Sequence, residues 1–281
     1  MMISVEHATV YRYHCPVVLD THTCRLRPRM TTTQRLLAFD LQILPAPVGS
    51  AESLDQDGNL THLTWFSAPA SELNVVSRFR VELLRNNPFD FHLTDEAQRL
   101  ALWYQSPLGE SLAAYRNYHA VDESVRQFAT AIGAEANWNL ISFLTTLNQR
   151  IFERFSHVGR PEGSAWPSTQ TLACAEGSCR DLAILFCDAC RVMGIAARFV
   201  SGYECASAGL DDATMHAWAE VFVPAAGWRG YDPSRGLAVA DGHVAVAAAF
   251  DASLAAPVSG LYSGACDSRM KTRLKMQIES R

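Results

Sequence analysis

Glu176-Gly177-Ser178-Cys179-Arg180-Asp181-Leu182-Ala183 sets a Gly-Ser pair directly before a cysteine. After the cysteine, apolar residues recur at helical spacing: Leu182, Leu185, Phe186, Ala189, Cys190 and Met193. Gly194 ends the pattern, as a glycine commonly does at a helix C-terminus. Cys179 is therefore expected in the first turn of a mostly buried helix. A helix N-terminus carries partial positive charge and unpaired N–H groups. Both favour a thiolate, the nucleophilic form of cysteine. The same N–H groups can hold an oxyanion.

Two further residues suit that sulfur. His216 opens the run His-Ala-Trp-Ala-Glu-Val-Phe-Val, whose alternation puts His216, Trp218 and Glu220 on one strand face. Pro224-Ala225-Ala226-Gly227 then turns the chain back as Trp228-Arg229-Gly230-Tyr231-Asp232. A hairpin this tight brings Asp232 close to His216. The carboxylate can orient the imidazole, and the imidazole can take the proton from Cys179.

Around this centre the texture changes along the chain. Residues 2–14, 17–27, 36–44, a run ending near Leu54, 60–66 and 73–84 read as short strands. Asp55-Gln56-Asp57-Gly58-Asn59 is a strong turn joining the run that ends near Leu54 to 60–66. Cys15-Pro16 is expected to break the first. Together they predict a small β-sandwich or barrel over residues 1–85. Asn86-Asn87-Pro88-Phe89-Asp90 marks a boundary, with 86–106 as linker. Leu108–His119, Glu123–Ile132 and Asn137–Phe155 show helical spacing, and 156–177 reads as a loop. Strands are expected at Ala196–Tyr203, His216–Val223 and Trp228–Tyr231. A long loop, 234–267, leads to a last strand at Arg269–Ile278.

The 281 residues carry a net charge of −5, which argues against a protein that binds nucleic acid by neutralising phosphates. No apolar run is long enough to span a bilayer, and Met-Met-Ile-Ser-Val-Glu-His is not a signal peptide. A cytoplasmic location and no membrane partner are expected. The eight cysteines are scattered, which suits reduced thiols. Cys187-Asp188-Ala189-Cys190 lacks a second ligand pair, so no zinc is expected. Asp211-Asp212 is too slight for a calcium loop. Neither a metal nor a cofactor is predicted.

The chain resembles bacterial members of the transglutaminase-like superfamily, proteins with a papain-like Cys-His-Asp core. Residues Gly177–Ala183, Arg191–Tyr203, His216–Val221, Gly227-Trp228 and Tyr231-Asp232-Pro233-Ser234 carry the resemblance in the core. His7–Tyr13, Pro16-Val17, Leu26-Arg27-Pro28 and Asp57-Gly58-Asn59 carry it in the preceding β domain. The resemblance implies an α+β fold with the catalytic core over residues 107–281. It implies nucleophile Cys179, base His216, orienting Asp232 and acyl transfer through a thioester. Relatives often have Gln where Arg180 stands, and a cation there can lower the cysteine pKa.

The Cys179 N–H is one candidate oxyanion donor, and Trp166 and Gln170 are candidates for the second. Trp218 is expected to wall the cleft. A protein or peptide is the expected substrate. Hydrolysis and transamidation both stay open. The alternatives are a cysteine peptidase or amidase with the same triad, and a catalytically idle module that binds a peptide. Oligomeric state is not legible.

Overall fold

The computed structural model describes residues 1–94, 98–117, 121–160, 163–209 and 213–279. The first strands are β1 (Met2–Leu19), β2 (His22–Cys24), β3 (Gln34–Leu44), β4 (Gly49–Leu54), β5 (Leu60–Trp65) and β6 (Ala70–Leu83). Helices α1 (Leu108–Ser111), α2 (Glu123–Glu135) and α3 (Leu140–Arg154) follow. Then come β7 (Ser156–His157), α4 (Ser168–Cys174), β8 (Glu176–Gly177) and α5 (Cys179–Val192). Strands β9 (Ala197–Glu204), β10 (His216–Val223), β11 (Gly227–Asp232), β12 (Leu237–Ala238) and β13 (His243–Ala249) build the core sheet. The chain ends with β14 (Val258–Ser259), β15 (Tyr262–Ser263) and β16 (Ser268–Glu279).

The N-terminal part is a β-sandwich. In β1 burial alternates, with Ile3, Val5, His7 and Thr9 inward. Strands β1, β6 and β3 pair antiparallel in that order, and β2, β5 and β4 form a second sheet with β14. Tyr13, Val17, Leu19, Cys24, Leu26, Leu73 and Val75 fill the space between the two sheets. Pro16 does not end β1, contrary to expectation. The pairing with β6 shifts register between Arg12 and Val17, and this irregularity absorbs the proline.

Two boundaries differ from those expected. Strand β16 belongs to the N-terminal sheet: it pairs with β1 from Met2↔Glu279 to Tyr13↔Ser268. Its Leu274 and Met276 turn inward beside Ile3, Val5, Phe79 and Val81. The last strand, expected within the 107–281 core, thus lies in the N-terminal sheet. The 86–106 segment is not a free linker either, since Leu102 and Tyr104 are buried in the core cluster. The Tyr104 hydroxyl donates to the Phe222 carbonyl at 2.7 Å and accepts from the Ala196 N–H at 3.0 Å.

The sandwich and the core share a hydrophobic cluster, because Tyr203, Val244 and Val246 pack onto the inner face of β1, β6 and β16. Two side-chain amides complete the join by imitating a neighbouring strand. Gln34 accepts from the Ala245 N–H at 2.9 Å and donates to its carbonyl at 2.7 Å. Asn59 does the same for Ala248, at 2.9 and 2.8 Å. They satisfy backbone groups on the edge of β13 that no strand reaches. The Asp55–Asn59 turn is thus a structural pin as well as a hairpin connection.

In the core, the order β12-β11-β10-β9-β13 forms an antiparallel sheet with α5 packed across it. Helix α5 carries its apolar stripe inward through Leu182, Leu185, Phe186, Ala189 and Cys190. Helices α2 and α3 cover its other side with Val125, Phe143, Leu144 and Leu147. Three expected features differ. Among the described residues of Leu108–His119 there are α1 and a 3-10 turn at Ala114–Arg116 in place of one helix, and His119 lies outside the described residues. The 156–177 loop contains α4 and the short parallel pair β7–β8. The 234–267 loop contains β13, buried at all seven positions. Among the described residues, no helix is long and apolar enough to cross a membrane.

Candidate active site

Helix α5 starts at Cys179, as its apolar spacing predicts. The start is held by Asp181, which has no solvent exposure. Its carboxylate accepts the Ser178 N–H and hydroxyl, both at 2.7 Å, in the manner of a capping box. It also accepts the Trp166 N–H at 2.7 Å and an Arg160 guanidinium N–H at 2.7 Å. Burial alone would raise this carboxyl, but Arg160, Trp166 and Ser178 bring its pKa below the ordinary value. Gly177 makes the approach possible, because a Cβ there would meet the Asp181 Cβ at 2.9 Å. Asp181 thus straps the 160–166 loop to the helix mouth and fixes the direction of Cys179.

The hairpin behaves as its spacing predicts. Strands β10 and β11 pair through Ala219↔Tyr231 and Glu220↔Gly230. Nε2 of His216 lies 2.6 Å from Oδ2 of Asp232, and both residues are buried. This leaves Nδ1 for the sulfur, with which His216 shares a hydrogen bond. Burial works against charge on His216, yet the Asp232 carboxylate and the Cys179 sulfur raise its pKa to about 10. Cys179 is half-buried. Burial opposes its ionisation, but hydrogen bonds from His157, His216 and the Ala217 N–H pull it down to about 6. Both shifts favour the thiolate–imidazolium form of the pair.

Several members of the site have no local sequence signal. Nε2 of His243, on β13, lies 2.9 Å from the same Asp232 oxygen. The other oxygen, Oδ1, accepts the Ser234 N–H at 3.0 Å and its hydroxyl at 2.7 Å. Asp232 therefore meets four donors; burial works to raise its pKa, but His216 and His243 hold it well below the ordinary value. Ser234 was not singled out from the sequence; the signal that could have found it is the Asp-Pro-Ser turn, in which a residue two positions on can reach back to the carboxylate. His157 reaches the sulfur from β7, where it pairs with Gly177, two residues before Cys179. Atoms of His216, Asp232 and His243 cluster as metal ligands can. Their 2.6 and 2.9 Å separations are those of ring N–H groups donating to a carboxylate.

Neither candidate oxyanion side chain, Trp166 or Gln170, is among the residues that line the cleft. Gln170 is exposed on α4. The Trp166 ring lies under the Arg160 guanidinium, 4.3 Å from its centroid, and its backbone N–H is taken by Asp181. Trp218 does not wall the cleft. It is fully buried behind His216, near-parallel to that ring with centroids 6.4 Å apart. Gly202 gives it room, since a Cβ there would meet its Cη2 at 2.7 Å. The Cys179 N–H stands in the first turn of α5, where N–H groups have no intrahelical partner. Cys187 and Cys190 are buried in the core, where burial pushes the Cys187 thiol up to about 12. Asp211-Asp212 lies outside the described residues.

The sulfur opens into a cleft of about 1050 Å³. One wall comes from α5 and the strand carrying His216. The facing wall comes from β1 and β16 through His7, Thr9, Tyr11, Met270, Thr272 and Leu274. The sandwich is therefore part of the site.

Two family models match. The bacterial transglutaminase-like N-terminal region covers residues 3–82, and the transglutaminase-like superfamily core covers residues 126–233.

The chain belongs to the transglutaminase-like superfamily.

An uncharacterised protein of Mycobacterium tuberculosis is 30% identical over 272 residues, covering 92% of this chain and 86% of that one. One of Mycobacterium leprae is 26% identical over 276 residues, covering 92% of each. Among solved structures, a Cytophaga hutchinsonii protein named for an inferred cysteine protease activity matches with TM-score 0.72 and 18% identity. That match covers 100% of this chain and 92% of the other. It shows the shared fold, sandwich and core together. The periplasmic domain of TgpA from Pseudomonas aeruginosa matches with TM-score 0.41 and 14% identity, over 82% of this chain and 88% of that one. The superfamily core thus contains Cys179, His216 and Asp232, while His243 and β16 lie beyond its matched residues.

Proposed function

We propose that this transglutaminase-like protein is a cysteine hydrolase of amide or peptide bonds, working through a thioester. The Cys179 thiolate attacks the carbonyl carbon, and the Cys179 N–H receives the developing oxyanion. The His216 imidazolium gives its proton to the leaving amine, and the C–N bond breaks. The neutral imidazole then takes a proton from water, which attacks the thioester and releases the acid. Asp232 keeps the ring aligned and stabilises its charge throughout. One observation carries this reading: a sulfur at a helix mouth, open to a cleft and hydrogen-bonded to an imidazole that a buried carboxylate holds.

Water is the favoured second nucleophile because the cleft is not sealed. Exposed His157, Gly163 and Ser164 stand on its rim. Transamidation depends on keeping water from the thioester. The cleft volume, at the upper end of the range for small-molecule sites, suits a polypeptide segment.

The test is a peptide library incubated with the protein, with and without a primary amine, and read by mass spectrometry. New N-termini or free acids, absent in Cys179→Ala, support hydrolysis. Amine-linked products in place of acids would replace it with transamidation. Substrate bound but unchanged would make the cleft a binding site only.

A further inference from the structure

We propose that Cys15 and Cys266 form a redox-active dithiol that closes to a disulfide, clamping the C-terminal strand to the N-terminal one. The last ladder pair of β1 and β16 is Tyr13↔Ser268. The His14 N–H then donates to the Asp267 carbonyl at 3.1 Å, which continues the antiparallel register by one step. The next opposed pair is Cys15 and Cys266. The Cys15 N–H donates to the Cys266 Sγ at 2.8 Å, and that thiol donates back to the Cys15 carbonyl at 3.4 Å. The two thiols also share a hydrogen bond. Directly opposed residues of an antiparallel pair have Cα atoms about 4.5–5.5 Å apart. This lies within the range of about 4.4–6.8 Å that a disulfide spans.

Access separates this pair from the other cysteines. Cys15 is exposed and Cys266 partly exposed, whereas Cys24, Cys187, Cys190 and Cys205 are buried. Cys174 is exposed on α4, and Cys179 faces the cleft. A peroxide is the matching oxidant class. One thiolate attacks hydrogen peroxide; an S–O bond forms, the O–O bond breaks, and the released hydroxide takes a proton to become water. The second thiol, having lost its proton, attacks the sulfenic sulfur as thiolate; the S–S bond forms, the S–O bond breaks, and the expelled hydroxide takes up that proton to leave as a second water. Two thiols are oxidised and one peroxide is reduced to two waters.

The bond would join residues 251 positions apart. It would tie the outer end of the β1–β16 wall, whose Tyr11 and Met270 line the cleft. A closed loop this long stabilises chiefly by restricting the unfolded chain.

The test uses the full chain carrying Cys179→Ser, so that the cleft thiol does not compete for oxidant. After treatment with equimolar hydrogen peroxide, thiol titration should lose two of the seven thiols left from the original eight. Non-reducing peptide mapping should recover Cys15 joined to Cys266. The Tm should rise by roughly 5 °C or more, return with dithiothreitol, and stay unchanged in Cys266→Ser. Both cysteines remaining open to alkylation would overturn the proposal. So would Cys15 linked to Cys174 or to a second chain, or a Tm that does not move when the bond forms.

Discussion

His216 and His243 meet on one oxygen: their Nε2 atoms lie 2.6 and 2.9 Å from Oδ2 of Asp232. The first histidine comes from β10 and the second from β13, the far edge of the same sheet. His216 also bonds the Cys179 sulfur. His243 and Ser234 are thus positioning residues. They fill the remaining acceptor sites of Asp232 and hold the carboxylate in the one orientation that aims His216 at Cys179.

Asp232→Asn replaces an acceptor for two ring N–H groups with an amide that can also donate. It frees the imidazole to flip and removes the charge that stabilises the imidazolium. Turnover should fall about 10⁴-fold, as when the orienting acid of a triad is replaced by its amide. His243→Ala should cost less, because Oδ2 keeps its bond to His216. Steady-state kinetics on the substrate found by the peptide library checks the order. Equal losses would make His243 more than a support.

His157→Phe removes a hydrogen bond from the thiolate and leaves His216 in place. The Cys179 pKa should rise from about 6. A rise of about one unit corresponds to about 1.4 kcal/mol. Ultraviolet titration of the thiolate, with Cys179→Ala as the blank, measures it. A pKa that stays at the wild-type value would remove His157 from the site.

Activity should follow a bell in pH, with an acid limb near 6 and a basic limb near 10, set by Cys179 and His216. The two stability contributions change with pH in opposite directions. Cys179 is an acid with a lowered pKa, so its contribution is full above about 8.5, its unfolded value, and is lost as pH falls through about 6. His216 is a base with a raised pKa, so its contribution is full below about 6.5 and is lost as pH rises through about 10. Urea unfolding across pH, compared with His216→Phe, isolates the second. A difference that grows toward high pH would contradict the raised pKa.

Asn59→Ala strips the mimic strand from β13 and leaves the N–H and carbonyl of Ala248 without partners. Two buried orphaned groups should cost roughly 3 kcal/mol. Chemical denaturation reads the loss directly. A change below about 0.5 kcal/mol would mean that water replaces the amide at no cost.

The parts legible in the sequence are those specified by neighbours in the chain. Helix α5 and strand β10 appear at their expected starts, because Cys179 and His216 open periodic runs with clear stops. Asp232 was placed by hairpin arithmetic. Strand β13 was missed because Val, Ala and His residues buried on both faces leave no alternation to read. Its His243 was missed with it. Strand β16 showed its own periodicity, but its pairing with residues more than 250 positions away has no local trace. His157 depends on a parallel pair of two-residue strands, too short to carry a pattern.

The central claim is that Cys179 rests as a thiolate because His216 is charged beside it. The direct measurement is the rate of Cys179 alkylation by iodoacetamide across pH, in wild type and in His216→Ala, read by peptide mass spectrometry. The wild-type rate should rise with a midpoint near pH 6 and stay high through neutrality, while the variant midpoint moves toward about 8.5. A wild-type midpoint near 8.5, unchanged by the substitution, would contradict the account.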